Sequence, residues 1–395
     1  MTWPMVELGE LVTIKGGGTP SKSIDAYWGG DVPWASVKDF KSRYISQTQD
    51  CITQAGVKNS ATNIIPEGVI VIPTRMALGK VAITACDMAI NQDLKALFVN
   101  DECTLDRNYL ARYLESKANY IESEGKGATV KGITLDFLKS IKVPLPPLEE
   151  QKRIAAILDK ADAIRQKRQQ AIALADQFLR SVFLDMFVNS SNEAWDIKSI
   201  EYIADPKNGG LRTGPFGSQL LHSEFVESGI SVLGIDNAVE NQFKWGKPRF
   251  ITEEKYQTLS RYTVHPEDVL ITIMGTCGRC AVVPCDIPKA INTKHLCCIT
   301  LDKKKALPEF LHSYYLFHPM SQRYLAQKTK GAIMDGLNMG IIKEMPFPMV
   351  PLELQERFVS IKNATISSVG KQHLLEENQQ LLFNVLSKKA FSGQL

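Results

Sequence analysis

Between residues 148 and 188, apolar residues return alternately three and four positions apart. Ile154, Ile157, Ala161 and Ile164 are followed, after a polar interruption at Arg168, by Ala171, Ala175, Phe178 and Val182. That spacing is the seam of a helix that pairs with another helix. Pro146 and Pro147 stand just before it and Glu149 and Glu150 open it, where a fixed φ and negative charge suit a helix start. About 40 residues at ~1.5 Å each make a rod of roughly 60 Å. A weaker seam runs from 351 to about 391 through Phe358, Ile361, Leu375, Leu382 and Leu386. Thr365, Ser368, Gln372 and Gln379 fill its remaining slots. Two arrangements would bury these stripes: an antiparallel pair of helices, or each helix laid on its own globular domain. The spacing favours the pair.

Elsewhere the period changes. Short β-rich runs such as Gly68–Pro73 and Val81–Thr84 are punctuated by Gly and Pro, and Arg107–Ser123 reads as a helix. Asn189–Asn192 is polar and turn-prone and ends the first long helix. Four segments follow: a globular unit over 1–147, a long helix and linker over 148–192, a second globular unit over 193–350, and a distal helix over 351–395.

The second half of the chain repeats the first. Pro144–Gln151 reads PLPPLEEQ and Pro348–Gln355 reads PMVPLELQ, an offset of 348 − 144 = 204. Trp3, Leu8 and Leu11 match Trp195, Ile200 and Ile203 at 195 − 3 = 192. Ile65–Ile70 matches His265–Leu270, Gly79–Ile83 matches Gly278–Val282, and Ile90-Asn91 matches Ile291-Asn292. Lys126–Ala128 matches Lys330–Ala332 and Phe187 matches Phe391, again at 204. The offset drifts in the globular part and locks in the helical part, because loops accept insertions and packed helices do not. The fold class expected is α+β: two similar mixed α/β domains, an approximate internal two-fold repeat, and two long antiparallel helices. A partner with two similar but non-identical half-sites suits such a body, and DNA is the leading candidate.

Composition narrows the class. The chain is 44% hydrophobic and 23% charged, as globular proteins are. No apolar run is long enough to span a bilayer and no signal-peptide pattern opens the chain, so a cytoplasmic location without membrane contact is expected. A net charge of +3 is too small to argue for nucleic acid alone, so basic residues must be concentrated on one surface if DNA is bound. The eight cysteines are irregularly spaced and do not resemble a disulfide framework.

The order globular unit, PLPPLEEQ helix, globular unit, PMVPLELQ helix resembles the specificity subunit of a type I restriction–modification system over essentially the whole chain. Gly214-Pro215-Phe216-Gly217-Ser218, the Gly-Lys-Val-Ala and Ile-Asn blocks, and the ending Ala390–Leu395 are similar to that family's anchors. The resemblance implies two target-recognition domains, each reading one half of a split, asymmetric double-stranded DNA site. It implies a rod that sets half-site spacing and docks two methyltransferase subunits, which restriction subunits join. It also implies a non-catalytic chain: S-adenosylmethionine, ATP and Mg would belong to the partner subunits. The residues agree, since no Asn-Pro-Pro-Tyr block, Gly-x-x-x-x-Gly-Lys-Ser/Thr loop or His-Glu-x-x-His helix is present. Two other classes fit the long helices: a protein-interaction scaffold, and a stand-alone DNA-binding regulator.

Cys277 and Cys280 form a CxxC, with Cys285, Cys297 and Cys298 beyond it, so zinc has to be weighed. In the repeat, however, Cys277, Cys280, Cys297 and Cys298 fall on Leu78, Val81, Ala96 and Leu97. Apolar slots in one copy make these core cysteines, and no metal is expected.

Candidate DNA contacts are polar or basic residues in Gly-rich loops beside the repeat anchors. In the first unit they are Thr19, Lys22, Trp34, Arg75, Lys80, Asn91, Gln92, Lys126 and Lys131. In the second they are Phe216, Ser218, Asn237, Arg279, Asn292, Lys294, His295, Lys328 and Lys330. Trp34 and Phe216 read more strongly as core aromatics, since aromatics near strands usually pack in a core, and Asn91 and Asn292 read also as holders of a turn. The stretch Gly125–Gly132 is basic without an acidic residue and suits a phosphate backbone. Off the helix seam, Leu158, Ile172, Leu174, Leu179 and Phe183 offer either a stripe for partner subunits or contacts to the chain's own globular units.

Overall fold

The computed structural model describes residues 3–127, 130–189, 195–329 and 337–395, with the side chains at 329 and 369–381 left aside. The chain divides into two compact units, residues 1–169 with 373–395 and residues 170–372. The helix Leu148–Leu184 begins in unit 1 and ends in unit 2, and the helix Leu352–Phe391 does the reverse. Each unit is thus completed by the start of one long helix and the end of the other.

The repeat holds strand by strand in the two main sheets except for Tyr44–Ile45, which has no counterpart among the described strands of unit 2. Unit 1 has a sheet in the order Val12–Gly16, Leu94–Val99, Ile70–Pro73, Ala82–Thr84, Tyr44–Ile45. Unit 2 has Leu211–Thr213, Leu296–Ile299, Val269–Thr272, Cys280–Val282. A second sheet runs Asp50–Ile52, Trp28–Ala35, Met88–Ile90, Ile64–Ile65 in unit 1. Its counterpart is Phe250–Ile251, Ile230–Leu233, Ala290–Asn292, Thr263–Val264. In both, the two middle strands are parallel. The fully buried strands Ile70–Pro73 and Val269–Thr272 explain why those runs are continuously apolar rather than alternating. Ile70 and Ile72 face one core while Val71 faces another, and Val269, Ile271 and Leu270 divide in the same way. The helix expected over 107–123 is two, Arg107–Ser116 and Ala118–Ser123, broken at Lys117.

The repeated PLPPLEEQ and PMVPLELQ blocks have a physical explanation in their last residue. Gln151 is fully buried; its Oε1 accepts from Asp106 N–H (2.9 Å) and its Nε2 donates to Thr104 O (2.9 Å) and Pro146 O (2.8 Å). Gln355 repeats this with Leu307 N–H (2.9 Å), Lys305 O (3.2 Å) and Val350 O (2.7 Å). Each amide ties the start of a long helix to the segment that opens the globular unit's own helix. The matched phenylalanines are core plugs too. Phe187 lies 5.0 Å from the Phe310 ring in unit 2, and Phe391 lies 5.5 and 5.2 Å from Tyr109 and Tyr113 in unit 1.

Within each unit the start of one long helix meets the end of the other. In unit 1 the Arg165 guanidinium lies over Phe383 and Arg153 donates to Leu395 O, and in unit 2 Phe183 and Phe187 flank Phe358. The buried faces differ from the expected seam. Ile154 and Phe358 are buried, but Ile164, Phe178 and Leu382 are exposed, and Leu375 lies outside the described side chains. Conversely, the off-seam Leu158 and Phe183 are fully buried in the cores of units 1 and 2, and Leu179 is buried as well. These three therefore cannot form an open partner stripe. The globular units, not the heptad, choose which helix face is covered at each end. Ile172 is half-buried and Leu174 is exposed.

Unit 2 contains a buried acid-sensitive contact. Lys362 Nζ donates to His312 Nδ1 (3.1 Å) and pairs with Glu309, while His312 Nε2–H donates to Asn241 O (2.8 Å) and Cys280 O (3.1 Å). Burial, then the Lys362 charge, hold His312 down to about 4. The unfolded chain takes up this proton near 6.5 and the folded one only near 4, so stability falls as pH drops from 6.5 towards 4 and levels below it. The loss expected is on the order of 3 kcal/mol. Thermal unfolding between pH 7 and 4 should show it, and His312→Gln should flatten the slope.

Candidate nucleic-acid interface

In each unit the parallel strands of the second sheet end together, and a glycine loop crosses over their carboxyl end. In unit 1 the strand Val12–Gly16 runs into Gly17-Gly18-Thr19-Pro20, and Gly18 N–H donates to Ile90 O (3.0 Å). A methyl on Gly17 would fall on the Ile90 and Asn91 carbonyl oxygens. In unit 2 Leu211–Thr213 runs into Gly214-Pro215-Phe216, and a methyl on Gly214 would fall on Asn292 O. Glycine and the Ile-Asn block recur together because one backbone lies on the other. We expect Gly17→Ala or Gly214→Ala to displace its loop and cost about 2 kcal/mol or more. The control is Gly16→Ala, which meets only the end of the Lys95 side chain at 3.7 Å. Thermal melts of the three variants test this.

Two further loops complete each site. In unit 1 the Asn91–Asp93 turn is held by Thr74 N–H donating to Asp93 O (2.8 Å), which docks the 74–80 hairpin loop on it. In unit 2 Ile273 N–H donates to His295 O (2.9 Å) and docks the 273–279 loop in the same way.

In unit 1 these loops, together with the 25–38 segment, line a concavity of about 860 Å³. Thr19, Lys22, Trp34, Asn91 and Gln92 of the expected set line it, and Thr19 donates to Gln92. Arg75 joins them through Asp93 (3.6 Å). Lys126 and Lys131 are brought up beside Arg75, since Gly132 bridges to both Arg75 and Lys126. Lys80 instead points Nζ at Phe40 O (3.2 Å). Trp34 is buried, edge-on to Trp28 at 5.1 Å, and its Nε1 donates to Gly18 O (3.0 Å), so it positions the glycine loop. Sequence reasoning missed Trp28, Asp50, Asp93 and Met76, which share this lining.

In unit 2 Phe216, Ser218 and Arg279 are exposed on these loops, with Lys294 and His295 half-buried beside them. Burial, then the charges of Lys294 and Arg249, push His295 below its ordinary value. Lys328 lies on the helix Pro319–Thr329, over Tyr324, and Lys330 lies outside the described residues.

The asparagines need correction. Asn237 is buried; its Oδ1 accepts from Gly234 N–H (2.8 Å) and its Nδ2 donates to Lys244 O (2.9 Å). Asn292 is fully buried and donates to Leu296 O (3.1 Å), while Asn91 Oδ1 accepts from Asp93 N–H (3.1 Å). Asn237 and Asn292 hold turns beneath the surface rather than offering an amide to a base edge, and Asn91 holds a turn in the lining of the concavity.

Three of the four cysteines assigned to the core occupy strands, whereas Cys277 is half-buried on the 273–279 loop. Cys280, Cys297 and Cys298 are buried in the first sheet of unit 2, and burial pushes Cys297 up to about 12 and the other two higher than an ordinary thiol. They are protonated packing residues at neutral pH.

The chain belongs to the type I restriction modification DNA specificity domain family, whose sequence model matches residues 1–174 and 223–377. It is 29% identical over 205 residues to the MjaIX specificity subunit of Methanocaldococcus jannaschii, covering 51% of this chain and 46% of that one. It is 35% identical over 164 residues to the EcoR124I/EcoR124II specificity subunit of Escherichia coli, covering 40% of each. These matches span less than half of either relative. The MjaVIII specificity subunit of M. jannaschii matches at 21% identity over 97% of this chain and 92% of its own. The crystal structure of the type I restriction–modification S subunit from M. genitalium shares the fold, with a TM-score of 0.66 at 15% identity over 98% of this chain and 96% of that one.

Proposed function

We propose that this chain is the DNA-reading, non-catalytic subunit of a type I restriction–modification complex, each unit reading one half of a bipartite, asymmetric site. The observation that carries this is one loop architecture built twice with different side chains. Thr19, Lys22 and Gln92 occupy it in unit 1, and Phe216, Ser218 and Arg279 in unit 2. Equal scaffolds with unequal lining suit two unlike half-sites, whereas equal lining would suit a palindrome. Methylation and DNA cleavage then fall to partners that carry S-adenosylmethionine, ATP and Mg. No described helix is long and apolar enough to cross a membrane, which fits a complex that works on DNA in the cytoplasm.

The long helices supply the docking surface for two methyltransferase subunits, which restriction subunits join. Unit 1 leaves Ile164, Leu382 and Val385 exposed, and unit 2 leaves Leu174, Phe178 and Ile366 exposed. Leu174→Asp with Phe178→Asp should leave the melting temperature unchanged and remove one methyltransferase subunit by native mass measurement. An unchanged mass assigns docking elsewhere. The reading itself is tested by mapping methylation in cells that hold the neighbouring methyltransferase with and without this chain. A split, asymmetric motif that needs the chain is expected. Its absence with a folded methyltransferase present favours the scaffold or regulator class.

A further inference from the structure

Met76 lies on the 74–80 loop at φ 69°, in the left-handed region that residues bearing a β-carbon avoid. The offset that pairs Gly79 with Gly278 pairs it with Gly275 (275 − 76 = 199), at φ 74°. The loop therefore takes one backbone shape in both units, and unit 2 uses the residue that adopts it without strain. Unit 1 uses methionine, and the side chain is 62% exposed, so packing inside the unit does not account for the choice. The strained position is braced by the neighbouring Lys131–Ile133 segment. Met76 N–H donates to Lys131 O (3.1 Å) and Ile133 N–H donates to Thr74 O (2.9 Å). The braced side chain lines the same concavity as Trp34, Val37 and Gln92. Strain held in place beside a binding surface, carrying an exposed apolar group, marks a residue kept for contact with a ligand.

We propose that Met76 is a specificity-determining residue of unit 1 that packs its thioether chain on the 5-methyl group of a thymine in the major groove of the first half-site. This rests on the DNA-reading role of unit 1. Methionine has no strong donor or acceptor, so it can read a base edge only by apolar contact. The thymine methyl is the apolar group that base pairs present in the major groove. A flexible, polarizable chain suits that contact. Gly275 leaves unit 2 without the equivalent side chain, so the second half-site lacks this contact.

The test uses the full chain with its methyltransferase, after the native motif has been mapped. Each thymine of the first half-site is replaced singly by uracil, which removes only the methyl, and binding is measured. One replacement should weaken native binding about fourfold, the effect of one buried methyl-sized group. Met76→Ala keeps the strained backbone without the side chain and should bind thymine and uracil equally at that position. Met76→Gly should do the same with an unchanged or higher melting temperature. If no uracil replacement weakens native binding, or if native and both variants lose the same factor, the assignment to Met76 is overturned. A native complex that prefers no sequence at all overturns the DNA-reading role, and the proposal with it.

Discussion

Asp268→Ala melts unit 2 by about 3–5 kcal/mol and leaves unit 1 where it was. The Asp268 carboxylate is fully buried and pairs with the buried Arg212 guanidinium at 2.5 Å. It also accepts from His265 N–H (2.7 Å) and from Thr300 Oγ1 (2.6 Å). Arg212 is saturated in turn, donating to Thr263 O from two nitrogens (3.0 and 2.6 Å) and to Thr300 Oγ1 (2.8 Å). Removing the carboxylate strands a positive charge in the core, which costs far more than the intact pair contributes. Replacing both by apolar residues, Arg212→Met with Asp268→Leu, should recover much of the loss. Unit 1 has Gly68 in the place of Asp268 and so supplies the internal control. Calorimetry should show one transition moved down by roughly 10 °C, taking 2–4 °C per kcal/mol. Arg212 ends two residues before Gly214, so sequence reading at the second half-site should weaken with it.

Gln151→Leu and Gln355→Leu should each cost about 2–4 kcal/mol, one in unit 1 and the other in unit 2. Each substitution keeps the volume but leaves a buried N–H and two buried carbonyls without partners, and unmade buried bonds are expensive. Because each amide joins a long helix to one globular unit, separate melting of the two units should identify which was loosened. Equal loss in both units from either single variant would show that the clamps are not independent.

The doubled PLPPLEEQ block made the internal repeat legible, and with it the matching order of the sheets. Pro146-Pro147 and the glutamates placed a helix start that the structure puts at Leu148. Cys280, Cys297 and Cys298 were readable as core because their counterparts are apolar, whereas Cys277 at the edge of that pattern is only half-buried. Less legible was which side of each long helix is covered. Heptad spacing reports a face that can be buried, but Leu158 and Phe183 are buried because they belong to the cores of the globular units. The asparagines failed for a different reason. An amide that closes a turn and an amide that reads a base have the same composition, and only the bonds of Asn237 to Gly234 and Lys244 separate them. Met76 was available in the repeat as a methionine aligned with a glycine, but its meaning required the backbone angle.

The central claim is that two units built alike read two different half-sites. The most direct measurement is the methylated motif directed by two paired variants: Thr19→Ala with Gln92→Ala in unit 1, and Ser218→Ala with Arg279→Ala in unit 2. The account predicts that each pair relaxes one half of the motif, that the two halves differ, and that the spacer length is unchanged. Relaxation of the same half by both pairs, or an intact motif with both, would contradict it.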